Sequence, residues 1–325
     1  MGIVVLNPGP LTVVEDLGRQ GWASLGLSPS GALDRQSLRL ANLLVGNSPE
    51  AAGLEILLGG LRLRFITAST VAVAGAEGIV TLNGAEIPLN QAVRVAPGAV
   101  LDFGAPLFGL RYYLGVQGGI DAPQLLGSSS TDMLSGEGPA PLKSGEQLVV
   151  GRVSAGNGLV SGPGPGPGAG TGRGAGTGRG AGTGRGAGTG RGAGTGRGAG
   201  TLPAIRRAPD PGRAITARVD RGPRSDWFDD ESWRRLVSQE WTLSPDSNRI
   251  GARLVGRPLT QTRNEELPSE GMVLGALQVP PSGLPTIFLA DHPVTGGYPV
   301  IAVVRRADLD LLGQARPGQR IRFLG

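Results

Sequence analysis

The chain contains no cysteine and a single histidine, His292. The first absence excludes disulfides, thiolate nucleophiles, iron–sulfur clusters and cysteine zinc sites. The second excludes metal sites built from several histidines, so no metal is expected. Lysine is equally scarce: of 31 basic residues only Lys143 is a lysine. It stands in PLKSGEQ, where Ser144-Gly145 predicts a turn. A Schiff-base lysine needs an apolar pocket and a biotin-accepting lysine needs flanking methionines; Lys143 has neither, so no covalent biotin is expected. No apolar run approaches the length of a membrane span, and MGIVVLNPGPLTVVEDLG lacks a basic segment followed by a long apolar core. The expectation is a cytoplasmic protein without membrane contact. Also missing is a phosphate loop: no Walker-type sequence occurs, and outside the repeat described next no strand leads into G-x-G-x-x-G before a helix.

Glycine is what the chain has in excess, 58 residues with 26 prolines. Residues 168–197 are five copies of GAGTGR. Such a period has no apolar anchor to offset the entropy of ordering, which predicts a flexible linker over 156–204 between an N-terminal domain, 1–155, and a C-terminal one, 205–325. The five repeat arginines also account for the net charge of +5, so the remainder is neutral and no specific nucleic-acid partner is expected.

Outside the repeat the pattern is mainly β with a few short helices. Runs 3–7 and 11–14 flank Pro8-Gly9-Pro10 as strand, turn, strand. From 53 to 116 the sequence reads as GLEILL, LRLRFI, TVAVA, IVTL, AVRVA, VLDFG and LRYYLGV, divided by glycine-bearing turns, and Leu61, Leu63 and Phe65 alternate with Arg62 and Arg64 as in a sheet with one wet face. Two further strands are predicted near 147–153. Helices are predicted after Asp34, ending at Gly46-Asn47; at 121–127, capped by Asp121; after Ser225; and at 307–313. In the second half, strands are expected around 241, 253, 273, 286, 300 and 320.

The stretch LADHPVTGGYPVIAVV, 289–304, breaks an apolar run at a polar corner holding Asp291, His292, Gly296-Gly297 and Tyr298. A Ser-His-Asp triad is not supported, because the G-x-S-x-G elbow is missing from the folded halves. The carboxylates Asp34, Glu55, Asp132, Glu270 and Asp291 each stand near Gly or Ser, where a loop can aim them into a cleft. Asp34 reads most simply as a helix cap. Asp132 in GSSSTDML and Glu270 in LPSEGMV are acidic residues among small and apolar ones, and need partners if buried.

Several stretches together resemble the bacterial biotin-dependent carboxyltransferase-like family, which includes the C subunit of 5-oxoprolinase, allophanate hydrolase subunit 2 and the KipA regulator. They are GPLTVVEDLGRQG (9–21), SGALDRQSLRLANLLVGN (30–47), LEILLGGLRLRF (54–65), GVQGGIDAPQLLGSSSTDML (115–134), SPDSNRIGARLVG (244–256), LPSEGMVLGALQVPPSG (267–283) and LADHPVTGGYPVIAVV. The resemblance implies two cyclophilin-like β-barrel subdomains and one member of an ATP-dependent 5-oxoprolinase complex, inactive alone. It implies two companions, the KipI-like B subunit of 5-oxoprolinase and its A subunit, with ATP used by the assembled complex and a small lactam or amide as substrate. The alternatives it carries are a carboxyltransferase component acting on urea or allophanate, with biotin on another chain, and a non-enzymatic regulator relieving inhibition of a kinase. Many relatives have R-Q-T-T-G-G-Y-P-K at the corner, so His292 departs from the pattern. Loop chemistry inside the matching stretches nominates Asp291, Glu270 and Asp132 as catalytic groups, and Thr295, Gly296, Gly297, Tyr298, Ser130, Arg249 and Gln278 as substrate-binding ones.

Overall fold

Strand Leu61–Phe65 alternates buried and exposed residues as its sequence predicts, and pairs antiparallel with both Gly2–Pro8 and Val100–Val116. The structure, a computed structural model, describes residues 2–152, 205–263 and 265–325. The linker expected at 156–204 lies outside the described residues. Around Leu61–Phe65 forms a ten-stranded, barrel-like sheet whose core includes Val5, Ile56, Phe103 and Leu114. The second half is a closed seven-stranded barrel around Trp241, Leu277, Ile301 and Phe323. Its first and last strands, Ile215–Arg221 and Arg320–Leu324, pair in parallel and close it. Together the described residues are mainly β with three α-helices, and hold two barrel-like sheets.

Two pairs of expected strands fuse. TVAVA and IVTL form one strand, Ser69–Leu82, and VLDFG and LRYYLGV form another, Val100–Val116. They run antiparallel with register shifts between Gly75 and Val80. The intervening glycines are bulges, not turns. At Gly75, where φ is +93°, a Cβ would lie 2.6 Å from the Arg111 carbonyl oxygen.

Helix α1, Arg35–Leu44, starts on Asp34, whose carboxylate accepts from the Ser37 amide at 3.1 Å. Helix α2, Asp230–Ser238, is capped by Asp229 through the Ser232 amide at 2.7 Å, while Ser225 opens only a short 3-10 turn, Ser225–Trp227. Helix α3 spans Arg306–Gly313. The helix expected at 121–127 does not form. Leu126 and Gly127 both have positive φ, and a tight turn brings Leu125 against Ser128. The strand expected near 273 lies instead at Ala276–Gln278, and among the described residues one strand, Gln147–Val150, follows residue 140 in the first half.

Both barrels belong to one compact unit. Leu33, from the first half, packs into the core of the second barrel. Close by, a Cβ on Gly313 would lie 2.8 Å from the Leu33 carbonyl oxygen, so the backbones approach closely there.

Candidate functional site

Arg249 sits in the turn leading into strand Gly251–Val255. The Asn248 side chain fixes that turn by accepting from the Ile250 amide at 2.9 Å, and the Arg249 carbonyl accepts from the Asp291 amide at 3.1 Å. Its guanidinium is 2% exposed and crosses between the barrels. It reaches both Asp291 oxygens at 2.8 and 3.1 Å, Glu55 Oε1 at 2.6 Å and the Gly31 carbonyl at 2.8 Å. Arg111 stands 3.2 Å from the same Glu55 oxygen. The Leu33 amide at 2.9 Å and the Tyr113 hydroxyl at 2.8 Å donate to the other.

Buried charge is tolerated only when paired. Burial raises the Glu55 carboxyl, but Arg249 and Arg111 outweigh it and hold the group below the usual carboxylate range. Glu15 is the third carboxyl. Its Oε1 lies 3.1 Å from Arg249 Nη2 without hydrogen-bond geometry, and neither of its oxygens has a hydrogen-bond partner. Burial pushes Glu15 well above its ordinary value, and the neighbouring Asp291 and Glu55 carboxylates push the same way. Three carboxyls therefore face two guanidiniums, and Glu15, with its proton affinity raised by burial against the opposing pull of Arg249, is the one that holds its proton most tightly.

A serine-rich loop carries the next layer. Asp16 follows strand Leu11–Glu15 and accepts from Ser128 Oγ at 2.7 Å, Ser130 Oγ at 2.6 Å and the Ser129 amide at 2.7 Å. This holds the loop so that Asp132 accepts from Ser28 Oγ at 2.6 Å and from the Leu134 and Ser135 amides at 2.9 and 3.2 Å. Burial raises Asp132, but those hydrogen bonds outweigh it and keep the carboxyl below its ordinary value, a fixed anion. The Met133 amide then donates to Asp291 at 3.1 Å, tying the loop to the second barrel. Arg19 donates to the Ser130 carbonyl, while its Nε and Nη1 are buried without partners.

His292 stacks on Phe288, with ring centroids 5.9 Å apart, and its Nδ1 lies 2.8 Å from the Pro293 carbonyl. A carbonyl only accepts, so this contact places the imidazole proton on Nδ1 and leaves Nε2 as an acceptor. Burial lowers the histidine's proton affinity, so the ring is neutral.

The nominated residues divide into two groups. Ser130, Asp132, Arg249 and Asp291 come together at the seam between the barrels. Glu270, Thr295, Gly296, Gly297, Tyr298 and Gln278 form a second group on the second barrel, where strand Glu270–Gly271 pairs with Thr295–Gly296. There Arg224 grips Glu270 with two N–H groups, Gln278 Nε2 donates to the Tyr298 carbonyl at 3.2 Å, and the Tyr298 side chain is exposed.

Glu15, Asp16, Arg19 and Arg111 escape a sequence reading. Glu15 and Asp16 look like an ordinary strand end, and Arg111 looks like the polar residue of an alternating strand. The one signal is the run EDLGR, dense in charge between an apolar strand and a glycine. Asp16 and Ser129 also border a cavity of about 500 Å³ on the first barrel. Among the described residues, no group of three or more His, Asp or Glu is placed to hold a metal ion.

Known proteins resemble this chain in sequence and fold. The chain is 33% identical over 323 residues to the C subunit of 5-oxoprolinase from Escherichia coli K12, covering 98% of this chain and 90% of that protein. It superposes on the crystal structure of TTHA0988 with a TM-score of 0.77 at 33% identity, over all of this chain but 55% of that one. It also superposes on the urea amidolyase of K. lactis with a TM-score of 0.78 at 29% identity, over 99% of this chain and 18% of that one. The chain thus spans about half of one solved relative and under a fifth of the other. The family model for the carboxyltransferase domain, subdomains A and B, matches residues 25–324, and to that family the chain belongs.

Proposed function

We propose that the chain is the C subunit of an ATP-dependent 5-oxoprolinase, acting in the cytoplasm with its two companions, the A and B subunits, to open the lactam of 5-oxo-L-proline to L-glutamate. The observation that carries this reading is coverage: the chain accounts for 90% of its E. coli relative but only 18% of the K. lactis enzyme. ATP is bound by the companions, because the sequence offers no phosphate loop, and the chain is inactive alone. No biotin is carried here, since Lys143 lies in a turn, where its amide donates to Glu146.

Opening an amide requires a held carbonyl and an oriented water. In this reading Asp132, ionised and fixed, holds the Ser28 hydroxyl beside Ser30 at 3.4 Å, and neutral His292 offers Nε2 as a proton acceptor. Asp291, saturated by Arg249 and the Met133 amide, positions the loops that carry these groups, as does Ser130 on Asp16. The corner Thr295–Tyr298, backed by Gln278 and steadied through Glu270, presents backbone and phenol to the lactam or to a partner loop.

The test is ATP-dependent glutamate release by purified mixtures of all three proteins. Omitting this chain abolishes release, and Asp132→Asn lowers it about a hundredfold. Equal rates with and without the chain defeat the reading. The likeness to the K. lactis urea amidolyase favours one alternative, a carboxyltransferase component served by biotin on another chain. That alternative predicts a biotinylated protein in a pull-down of the complex, visible on a streptavidin blot.

A further inference from the structure

Between the barrels, apart from the Arg249 cluster, lies a cleft of about 320 Å³. It is lined by the first two turns of α1, which contribute Arg35 and Arg39, four residues apart and so on one helix face. The start of α3 also lines it, contributing Arg306 and Asp310. Leu274 and Leu289 add an apolar side. None of the three arginines forms a salt bridge among the described residues. Arg35 donates to the Leu17 carbonyl, yet its Nε is enclosed without a partner. Burial lowers the proton affinity of Arg35, and the positive charges of Arg306 and Arg39 lower it further, outweighing the opposite pull of Asp310 and Asp16. Asp310 is the one carboxylate lining the cleft, and it already accepts from the Arg35 amide at 3.2 Å. Three guanidiniums against one carboxylate leave an excess of positive charge, and an unsatisfied buried donor, inside a partly apolar cleft. Ser30, on the same lining, holds a left-handed backbone with φ of +50°, a conformation that costs energy for a serine.

We infer that this cleft is a carboxylate subsite in which Arg35, Arg39 and Arg306 grip the anion of a small organic acid whose apolar flank lies on Leu274 and Leu289. In naming that acid as 5-oxo-L-proline, a carboxylate on a ring with three sp³ carbons flanking the lactam, the inference rests on the proposed function. Planar guanidinium groups suit a carboxylate through paired N–H donors, and a bound anion relieves the crowding of like charge.

Titration calorimetry on the full chain, alone and assembled with its two companions, tests this with four probes: 5-oxo-L-proline, its carboxylate-free analogue 2-pyrrolidinone, acetate and inorganic phosphate. The expected result is that 5-oxo-L-proline binds at least tenfold more tightly than 2-pyrrolidinone and that Arg39→Gln and Arg306→Gln each weaken it about tenfold, the loss of one charge-assisted contact. Both residues are exposed, so the variants should melt with the wild type. Equal binding of 2-pyrrolidinone, affinity unchanged in both variants, no carboxylate binding in either preparation, or binding of phosphate alone would each overturn the subsite. Acetate bound in an Arg39-dependent way without 5-oxo-L-proline keeps the subsite and removes the 5-oxoprolinase reading. Glutamate release that persists unaltered in both variants removes the subsite and keeps that reading.

Discussion

Asp34 serves two purposes that conflict electrostatically. It caps α1 through Ser37, and it accepts from Gln314 Nε2 at 2.9 Å across the seam, but it is buried next to Asp310. Burial first, and the Asp310 charge second, push its carboxyl from the ordinary 3.8 up to about 6. A pKa raised by folding means that the folded state holds the proton more tightly than the unfolded chain. The associated stability is complete below pH 3.8 and is lost as pH rises through about 6. The shift corresponds to about 3 kcal/mol. Asp34→Asn removes this titration. The difference in unfolding free energy, variant minus wild type, should therefore grow in favour of the variant by about 3 kcal/mol between about pH 3.5 and about pH 7.5. Any constant cost of altering the cap cancels in that comparison, which urea titrations at the two pH values supply. A difference that does not change with pH would show that Asp34 is solvated rather than buried.

At the scale of elements, the long strand Val100–Val116 and the end of helix α3 are joined by side chains from both, with Arg111 donating to the Gly313 carbonyl and Gln314 making the largest set of bonds. Gln314 Oε1 accepts from the Leu110 and Arg111 amides, both at 2.9 Å, and its Nε2 donates to the Arg111 carbonyl at 3.0 Å. The strand bulges at Gly109 to receive it: φ is +67° there, and a Cβ would lie 2.8 Å from Gln314 Oε1. Gln314→Ala leaves two buried amides without acceptors and should cost about 3 kcal/mol, while Gly109→Ala should cost a similar amount through backbone strain and collision. The two share one contact, so a double-mutant cycle in thermal unfolding should give less than the sum. The same bulge explains what is legible in the sequence. Alternation at Leu61–Phe65 and the cap at Asp34 are local signals, and both hold in the structure. A glycine between two apolar runs is a local signal too, but turn and bulge leave the same trace in sequence; only pairing with a distant strand decides between them. The site shows the same limit. Asp132, Asp291, Ser130 and Arg249 stand out among loop residues, whereas Glu15 and Arg111 become visible as parts of an ion cluster only when strands remote in sequence meet.

For the whole molecule, the question is whether two barrels with separate cores behave as one cooperative body. Each half has a core of its own, and apart from Leu33 the seam is held by polar groups, among them Arg249 to Glu55 and Asp291, Gln314 to the Arg111 backbone, and Ser30 N to the Ala290 carbonyl at 3.0 Å. Buried pairs contribute little net stability when complete, because desolvation offsets their attraction, but removing one partner strands the others and costs about 3–5 kcal/mol. Arg249→Met has this effect. It keeps an apolar side chain of comparable length while leaving Arg111 as the one guanidinium on Glu55, and leaving Asp291 with the Met133 amide and no guanidinium. Because the cost falls on the seam and not on either core, the variant should lose coupling rather than fold. Calorimetry of the wild type should give a single transition, and the variant should give two, with the barrels melting separately. Adding Glu15→Gln to Arg249→Met should recover less than adding Glu55→Gln, because burial already favours the neutral form of Glu15 whereas Glu55 carries a charge that the lost guanidinium had helped to hold ionised. If Arg249→Met melts in one step at the wild-type temperature, the ion cluster does not couple the barrels, and the other seam contacts, Leu33, Gln314 and the Ser30–Ala290 bond among them, hold it instead.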